Sequence, residues 1–226
     1  MISSNYNLVG GSLIQQIRFD TLSNNLANIN TNAFKQDIVS FDQNLSKNIS
    51  AIDLSSGPVV YTGNSLDVAL ENQGFFKIQT PNGIKYSRDG SFGLNKDGML
   101  VNRNGDQVLG ENGPITITGR DIAIGGDGRI IEDGSPGDKI FIVDIKDSKL
   151  LKKEGMNYFI YTGNEKDIKS AEKASLKQGY IEKSNVNVTE EMVRMVETFR
   201  TYESIQKAIQ STDETTGKMV NDSELL

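Results

Sequence analysis

Seven Asn-Gly or Asp-Gly dipeptides crowd residues 82–134: Asn82-Gly83, Asp89-Gly90, Asp97-Gly98, Asn104-Gly105, Asn112-Gly113, Asp127-Gly128 and Asp133-Gly134. Both residues of such a pair tolerate positive φ, which a two-residue hairpin turn needs. Short apolar runs lie between and around them, at 74–78, 115–117, 122–124, 140–143 and 158–161. Turn signals at short, regular intervals imply an all-β region, a meander, barrel or sandwich.

The two ends of the chain follow a different period. Residues 1–50 contain no Pro, and their only glycines are Gly10 and Gly11. Ile2, Tyr6, Val9 and Leu13 share one helix face; Phe19, Leu22, Leu26 and Ile29 share another, offset from the first. Two stripes imply either more than one neighbour or a kink near Gly10-Gly11. Asn24, Asn25, Asn28, Asn30 and Asn32 follow, and Asn favours caps and turns, so the helix should end near 28–32. At the far end Val188, Met192, Met195, Phe199, Tyr202, Gln206, Ile209, Asp213, Thr216 and Val220 alternate steps of four and three, a heptad seam. Val193, Val196 and Ile205 widen it. Asn187 with Glu190 resembles a capping box.

The expected fold is therefore mixed α and β. Long terminal helices form a coiled-coil-like domain, and the central all-β domain is meander- or barrel-like. The expected boundaries are 1–57 for the N-terminal helix and linker, 58–178 for the β domain and 179–226 for the C-terminal helix. Polar seam positions Gln206, Asp213 and Thr216 weaken the last stripe, so the terminal helices should be marginal alone and firm up on assembly. Residues 40–56, rich in Asn, Ser and Lys, should lack fixed structure until a neighbour covers them.

Composition excludes much chemistry. The chain of 226 residues has no Cys, His or Trp. That removes thiol catalysis, disulfides, Cys/His zinc sites and histidine acid–base work. A net charge of −6 argues against nucleic acid as a partner. No run of 18 apolar residues implies membrane insertion, and the first residues lack a signal-peptide pattern. The loop around Asn95-Lys96-Asp97-Gly98 fails an EF-hand at both anchors, Gly93 and Asn104. Gly125-Gly126-Asp127-Gly128 is a single run rather than a calcium-binding array. Turn chemistry accounts for both. Asn-X-Ser/Thr triplets such as those at 44, 48 and 187 read as chance. No metal, cofactor or catalytic residue is expected. A carboxylate-based hydrolase stays open only by counting acids; a secreted β-rich adhesin with an oligomerising stalk fits the seam as well as a polymer subunit does.

Four segments carry a resemblance. Residues 23–35 read SNNLANINTNAFK; 64–70 read NSLDVAL, followed by Gly74-Phe75-Phe76; 86–92 read YSRDGSF, followed by Asp97-Gly98-Met99-Leu100-Val101; and 178–187 read QGYIEKSNVN, leading into Glu190-Glu191-Met192-Val193. In this order they resemble the bacterial flagellar rod and hook proteins. One departure is Ala33, where that family has Gly. Gly allows positive φ cheaply and Ala does not, so Asn32 is expected to take that conformation, or the turn to differ.

The resemblance implies a non-enzymatic structural subunit. It would leave the cell through the flagellar type III export apparatus without a cleavable signal peptide. It would polymerise with copies of itself and other rod proteins into the hollow rod that crosses the periplasm and transmits torque from motor to hook. The terminal helices would line the inner tube and the β domain would lie outside. The compact middle suits a rod subunit better than a hook subunit, and the short stretch after Asp133 suits a proximal rod subunit better than a distal one. The expected subunit-interface residues are Leu13, Leu22, Asn25, Leu26, Asn28 and Ile29 at one end, with Met192, Met195, Phe199, Tyr202 and Ile209 at the other. For each, the alternative is a helix pair within one chain, and for Asn25 and Asn28 a local turn or bridge.

Overall fold

The computed structural model describes residues 2–41, 48–145, 147–164, 168–171 and 174–223. The chain divides into two compact units. One gathers residues 1–27, 37–50 and 187–226; the other gathers 28–36 and 51–186. Segments 28–36, 51–57 and 179–186, expected with the helical ends, group with the β region.

The first unit is built on two helices. α1 spans Ile2–Ala27 and is continuous through Gly10 and Gly11. It stops where the Asn-rich run begins, and there Thr31 N–H donates to the Asn28 carbonyl at 3.1 Å. α2 spans Val188–Ser223, 36 residues, or about 54 Å at 1.5 Å per residue. Asn187 caps it, its Oδ1 accepting from Thr189 N–H at 3.1 Å and Glu190 N–H at 3.4 Å. Only half of the expected capping box forms, because the Glu190 carboxylate pairs with Arg194 one turn on. The short strands Asp37–Phe41 and Asn48–Ile52 pair with each other. A strand therefore occupies part of the 40–56 stretch expected to lack fixed structure, and residues 42–47 of it lie outside the described residues.

The second unit is built of strands, with one short 3-10 turn at Ser148–Leu150. Its largest sheet runs in the order Leu151–Glu154, Tyr158–Tyr161, Gly83–Ser87, Phe75–Thr80, Gln107–Gly110, Leu100–Val101, Gly93–Leu94. The two end strands of this path do not pair with each other, so the sheet is open and the barrel-like expectation is corrected. A three-stranded meander, Ile122–Ile124, Arg129–Glu132 and Ser135–Lys139, forms a sheet of its own and packs Ile124 and Ile130 into the core of the larger one. Residues 115–117, expected as a strand, form only an isolated bridge between Thr116 and Met99, yet Ile115 and Ile117 are buried. Phe76, Ile78, Leu100, Ile130 and Ile140 centre one apolar cluster; Phe75, Tyr86, Val143, Leu151 and Phe159 make a second.

Six of the seven dipeptide glycines take positive φ. Gly90 does not; a Cβ there would collide with the Val68 carbonyl, whose residue donates its N–H to Gly90 O at 2.9 Å. Here glycine is needed for close approach, not for handedness. Ala33 corrects another expectation. It takes φ 54° itself, fully buried, with its N–H on the Glu182 carbonyl at 2.9 Å. An L-residue held there costs about 1–2 kcal/mol, which the surrounding contacts must offset.

Candidate assembly surface

α1 and α2 run antiparallel. Asn25 meets Glu191, Ser12 meets Gln206 and Gly11 faces Ile205. The side of α2 turned to α1 is the 191, 195, 198, 202, 205, 209, 212 stripe, in which Glu191 and Thr198 are buried and the others half-buried. It shares Met195, Tyr202 and Ile209 with the seam read from the sequence. The other half of that seam turns outward: Met192 is 54 % exposed and Phe199 51 %. Val188, Val193 and Val196 are exposed beside them. On α1 the inward positions include Gln15 and Leu22, while Val9, Leu13 and Phe19 are exposed.

This partly inverts the ordinary arrangement. The helix pair buries Gln15, Asn25, Glu191 and Thr198 beside Leu22 and the half-buried Met195, Tyr202, Ile205 and Ile209, and shows Val9, Leu13, Met192 and Phe199. Asn25 explains how the polar ones are tolerated. Its Nδ2 donates to Glu191 Oε2 and to the Asp37 carbonyl, each at 3.0 Å, and its Oδ1 accepts from Asp37 N–H at 3.0 Å. One amide thus ties α1, the first strand and α2 together. Gln206 Nε2 donates to Ser12 Oγ at 3.1 Å; Asp213 and Thr216 lie exposed. A groove of about 310 Å³ opens between the helices, lined by Gln15, Gln16, Phe19, Asp20, Thr198, Phe199 and Tyr202.

Among the expected interface residues, Leu22 and Asn25 are buried in the helix pair, where Asn25 is fully bonded. Asn28 is buried in the β unit, its Oδ1 accepting from Thr31 Oγ1 at 3.1 Å. Leu26, Ile29, Met195, Tyr202 and Ile209 are half-buried. Leu13, Met192 and Phe199 stand free.

A second constellation, which the sequence reading missed, supports the β unit. Glu182 is buried and accepts from Lys35 Nζ at 2.6 Å and Gly57 N–H at 2.9 Å on Oε1, and from Arg88 Nε at 2.8 Å on Oε2. Arg88 Nη1 donates to the Asn72 and Gly74 carbonyls at 3.0 and 2.9 Å, and Nη2 to the Leu70 carbonyl and Ser56 Oγ at 3.3 Å. Lys35 Nζ also reaches the Ser55 carbonyl at 2.6 Å. Burial pushes the Lys35 pKa down against the opposing pull of Glu182. Each charge is desolvated but satisfied, the only condition under which burial of charge is tolerable. The three residues come from three of the four resembling segments. Lys35 is the first charge after Asp20; that isolation was the one available signal.

The loops that suggested calcium are turns: Gly98 N–H reaches the Asn95 carbonyl at 3.1 Å, and Gly128 N–H reaches the Gly125 carbonyl at 2.9 Å. Among the described residues no cluster of three or more Asp, Glu, Cys or His could hold a metal ion, and no helix is long and apolar enough to cross a membrane.

A chain that pairs its two ends as helices and leaves their apolar side uncovered has the build of an assembly subunit. Comparison with known proteins agrees. Residues 6–35 match the family described as flagella basal body rod protein, 69–132 the flagellar hook protein FlgE/F/G D1 domain, and 177–222 the flagellar basal body rod FlgEFG protein C-terminal family. The chain is 31 % identical to the flagellar basal-body rod protein FlgG of Bacillus subtilis, over 98 % of this chain and 99 % of that protein. It is 32 % identical to FlgF of Caulobacter vibrioides, over 86 % and 87 %, and 33 % to FlgG of Buchnera aphidicola from Schizaphis graminum, over 91 % and 94 %. The chain belongs to the flagellar basal-body rod family, whose members are structural proteins and not enzymes.

Proposed function

We propose that this chain is a rod subunit that joins the growing shaft through the uncovered face of its helix pair. The observation that carries the reading is the inversion on α2, with Glu191 and Thr198 inside and Met192 and Phe199 outside. An apolar stripe of that kind marks a surface suited to cover by neighbouring helices. Leu13, Met192 and Phe199 make the primary contacts, flanked by Leu26, Ile29, Met195, Tyr202 and Ile209. Leu22, Asn25 and Asn28 support them from within. Contacts between unlike surfaces on successive subunits do not close, so they propagate as a helical tube. Many small contacts per subunit resist twist, as a torque-bearing shaft in the periplasm requires.

The partners are copies of this chain, other rod proteins and the export apparatus. A cysteine-free chain suits unfolded export, since no disulfide can trap it. The position we favour is proximal, the FlgF type. Against FlgG of B. subtilis, 98 % of this 226-residue chain spreads over 261 aligned positions; against FlgF of C. vibrioides, 86 % occupies 214, with fewer gaps.

The test is deletion of the gene, imaging of purified basal bodies, and complementation with wild type or Phe199→Asp. The deletion should stop the rod near the inner membrane and abolish swimming. Phe199→Asp should fail to restore it, although the free subunit loses no more than about 0.5 kcal/mol, as expected for a surface change. Normal basal bodies in the deletion would instead favour a secreted binding module. Full rescue by Phe199→Asp would remove this face from the assembly.

A further inference from the structure

The strand Val59–Tyr61 is the most exposed apolar strand among the described residues. All three of its side chains are exposed, at 38, 44 and 68 %. It pairs on one side only, with Tyr180–Glu182. Thr62 N–H donates to the Gly179 carbonyl at 2.8 Å and Lys183 N–H to the Pro58 carbonyl at 2.9 Å. In an antiparallel ladder bonded and non-bonded pairs alternate, so Val60 faces Ile181 as the bonded pair between these two. Val59 and Tyr61 consequently turn their N–H and C=O groups outward. Proteins blunt such edges with charge, proline or shortness; this strand is three residues long and follows Pro58, so charge is the device it lacks. Here residues 54–66 carry none, in a chain with 24 % charged residues and net charge −6.

We infer that this edge pairs two copies of the chain in a closed, two-fold antiparallel ribbon centred on Val60. Four outward backbone groups demand an extended strand as occupant. The segment that matches them in length and absence of charge is the same segment of a second copy, bracketed as here by Pro58 and Gly63. Rotated about Val60, Val59 of one copy bonds Tyr61 of the other twice over, and the reverse. Each Tyr61 ring, already tilted against Tyr180 with centroids 5.1 Å apart, then lies beside the opposite Val59, an aromatic–β-branched pair that sheets favour. The uncharged run lets two acidic molecules approach there. A two-fold pair closes on itself. It is therefore a state of the free subunit, it does not rest on the rod reading, and its failure would leave that reading intact.

The absence of cysteine makes a clean test. The two Val60 residues would form a non-bonded pair with Cα atoms about 4.5 Å apart, inside disulfide range. Purified full-length Val60→Cys should oxidise to a dimer on the order of tenfold faster than Met156→Cys, an exposed turn position. Adding Tyr61→Pro removes one outward donor without touching the bonded Val60 pair, and should bring the rate down to that of the Met156→Cys control. Adding Tyr61→Thr keeps the donor and should keep most of the rate. Protection of the Ile181 and Lys183 amides verifies that each variant is folded, and sedimentation of the wild type should show the same dimer at high concentration. Equal rates for Val60→Cys and Met156→Cys would overturn the pairing. Equal losses from Tyr61→Pro and Tyr61→Thr would also overturn it, since side-chain contact rather than strand pairing would then carry the dimer.

Discussion

The two units solve opposite problems with opposite materials. The β unit puts Phe76, Ile78, Leu100 and Phe159 inside, and at Glu182, its most deeply buried carboxylate among the described residues, both oxygens are bonded. The helix pair buries Gln15, Asn25, Glu191 and Thr198, and leaves Val9, Leu13, Met192 and Phe199 in water. The first is finished within one chain. The second joins polar ties to a thin apolar seam of Leu22, Met195, Tyr202, Ile205 and Ile209 and leaves other apolar side chains in water. In the assembly proposed above, neighbouring helices would supply the cover that the chain does not give itself.

The comparison breaks first at Glu182. Glu182→Ala leaves Lys35 and Arg88 buried without a counter-charge and should cost about 3–5 kcal/mol in urea unfolding. A loss below about 1 kcal/mol would mean that water or a rearrangement satisfies both cations. Next comes native-state amide exchange on free subunits. Amides of α1 and α2 should exchange through local opening well before those of Phe75–Thr80, which should need global unfolding. Equal protection would erase the contrast between the units. The charge network also has a pH signature. Because burial lowers the Lys35 pKa below 10.5, the folded chain releases that proton before the unfolded chain does. The unfolded state then binds more protons, so this group adds stability as pH rises towards 10.5. Lys35→Met should remove that upward contribution; an unchanged slope would assign it elsewhere. The smallest effect concerns Ala33. Relief of its φ strain and loss of its buried methyl nearly cancel in Ala33→Gly, which should lie within about 1 kcal/mol of wild type. A β-branched Ala33→Val should be markedly worse in the same urea series.

Much of the fold is legible in the sequence because its signals are local. The Asn-Gly and Asp-Gly pairs mark turns at the positive-φ glycines, and Asn187 caps α2 as expected. The open sheet was not legible, since closure depends on which strands meet at the edges rather than on their number. Nor was Ala33's conformation: local preference argued against it, and its buried bond to Glu182 overrode that preference. The candidate surface was legible only as a set of residues, not as a side. The residues expected at the interface include Met192 and Phe199, which are exposed, and also Leu22 and Asn25, which lie buried inside the helix pair.

The sequence by itself determined the types of the elements, their approximate ends and the family, because turn chemistry, helical period and ordered motifs act over a few residues at a time. The tertiary structure alone decided which stripe of α2 turns inward, since two overlapping stripes fit one helix and the antiparallel register of α1 selects between them. It alone joined Lys35, Arg88 and Glu182, which are 94 to 147 residues apart in the bonded pairs, because nothing local records which distant charges will share a core.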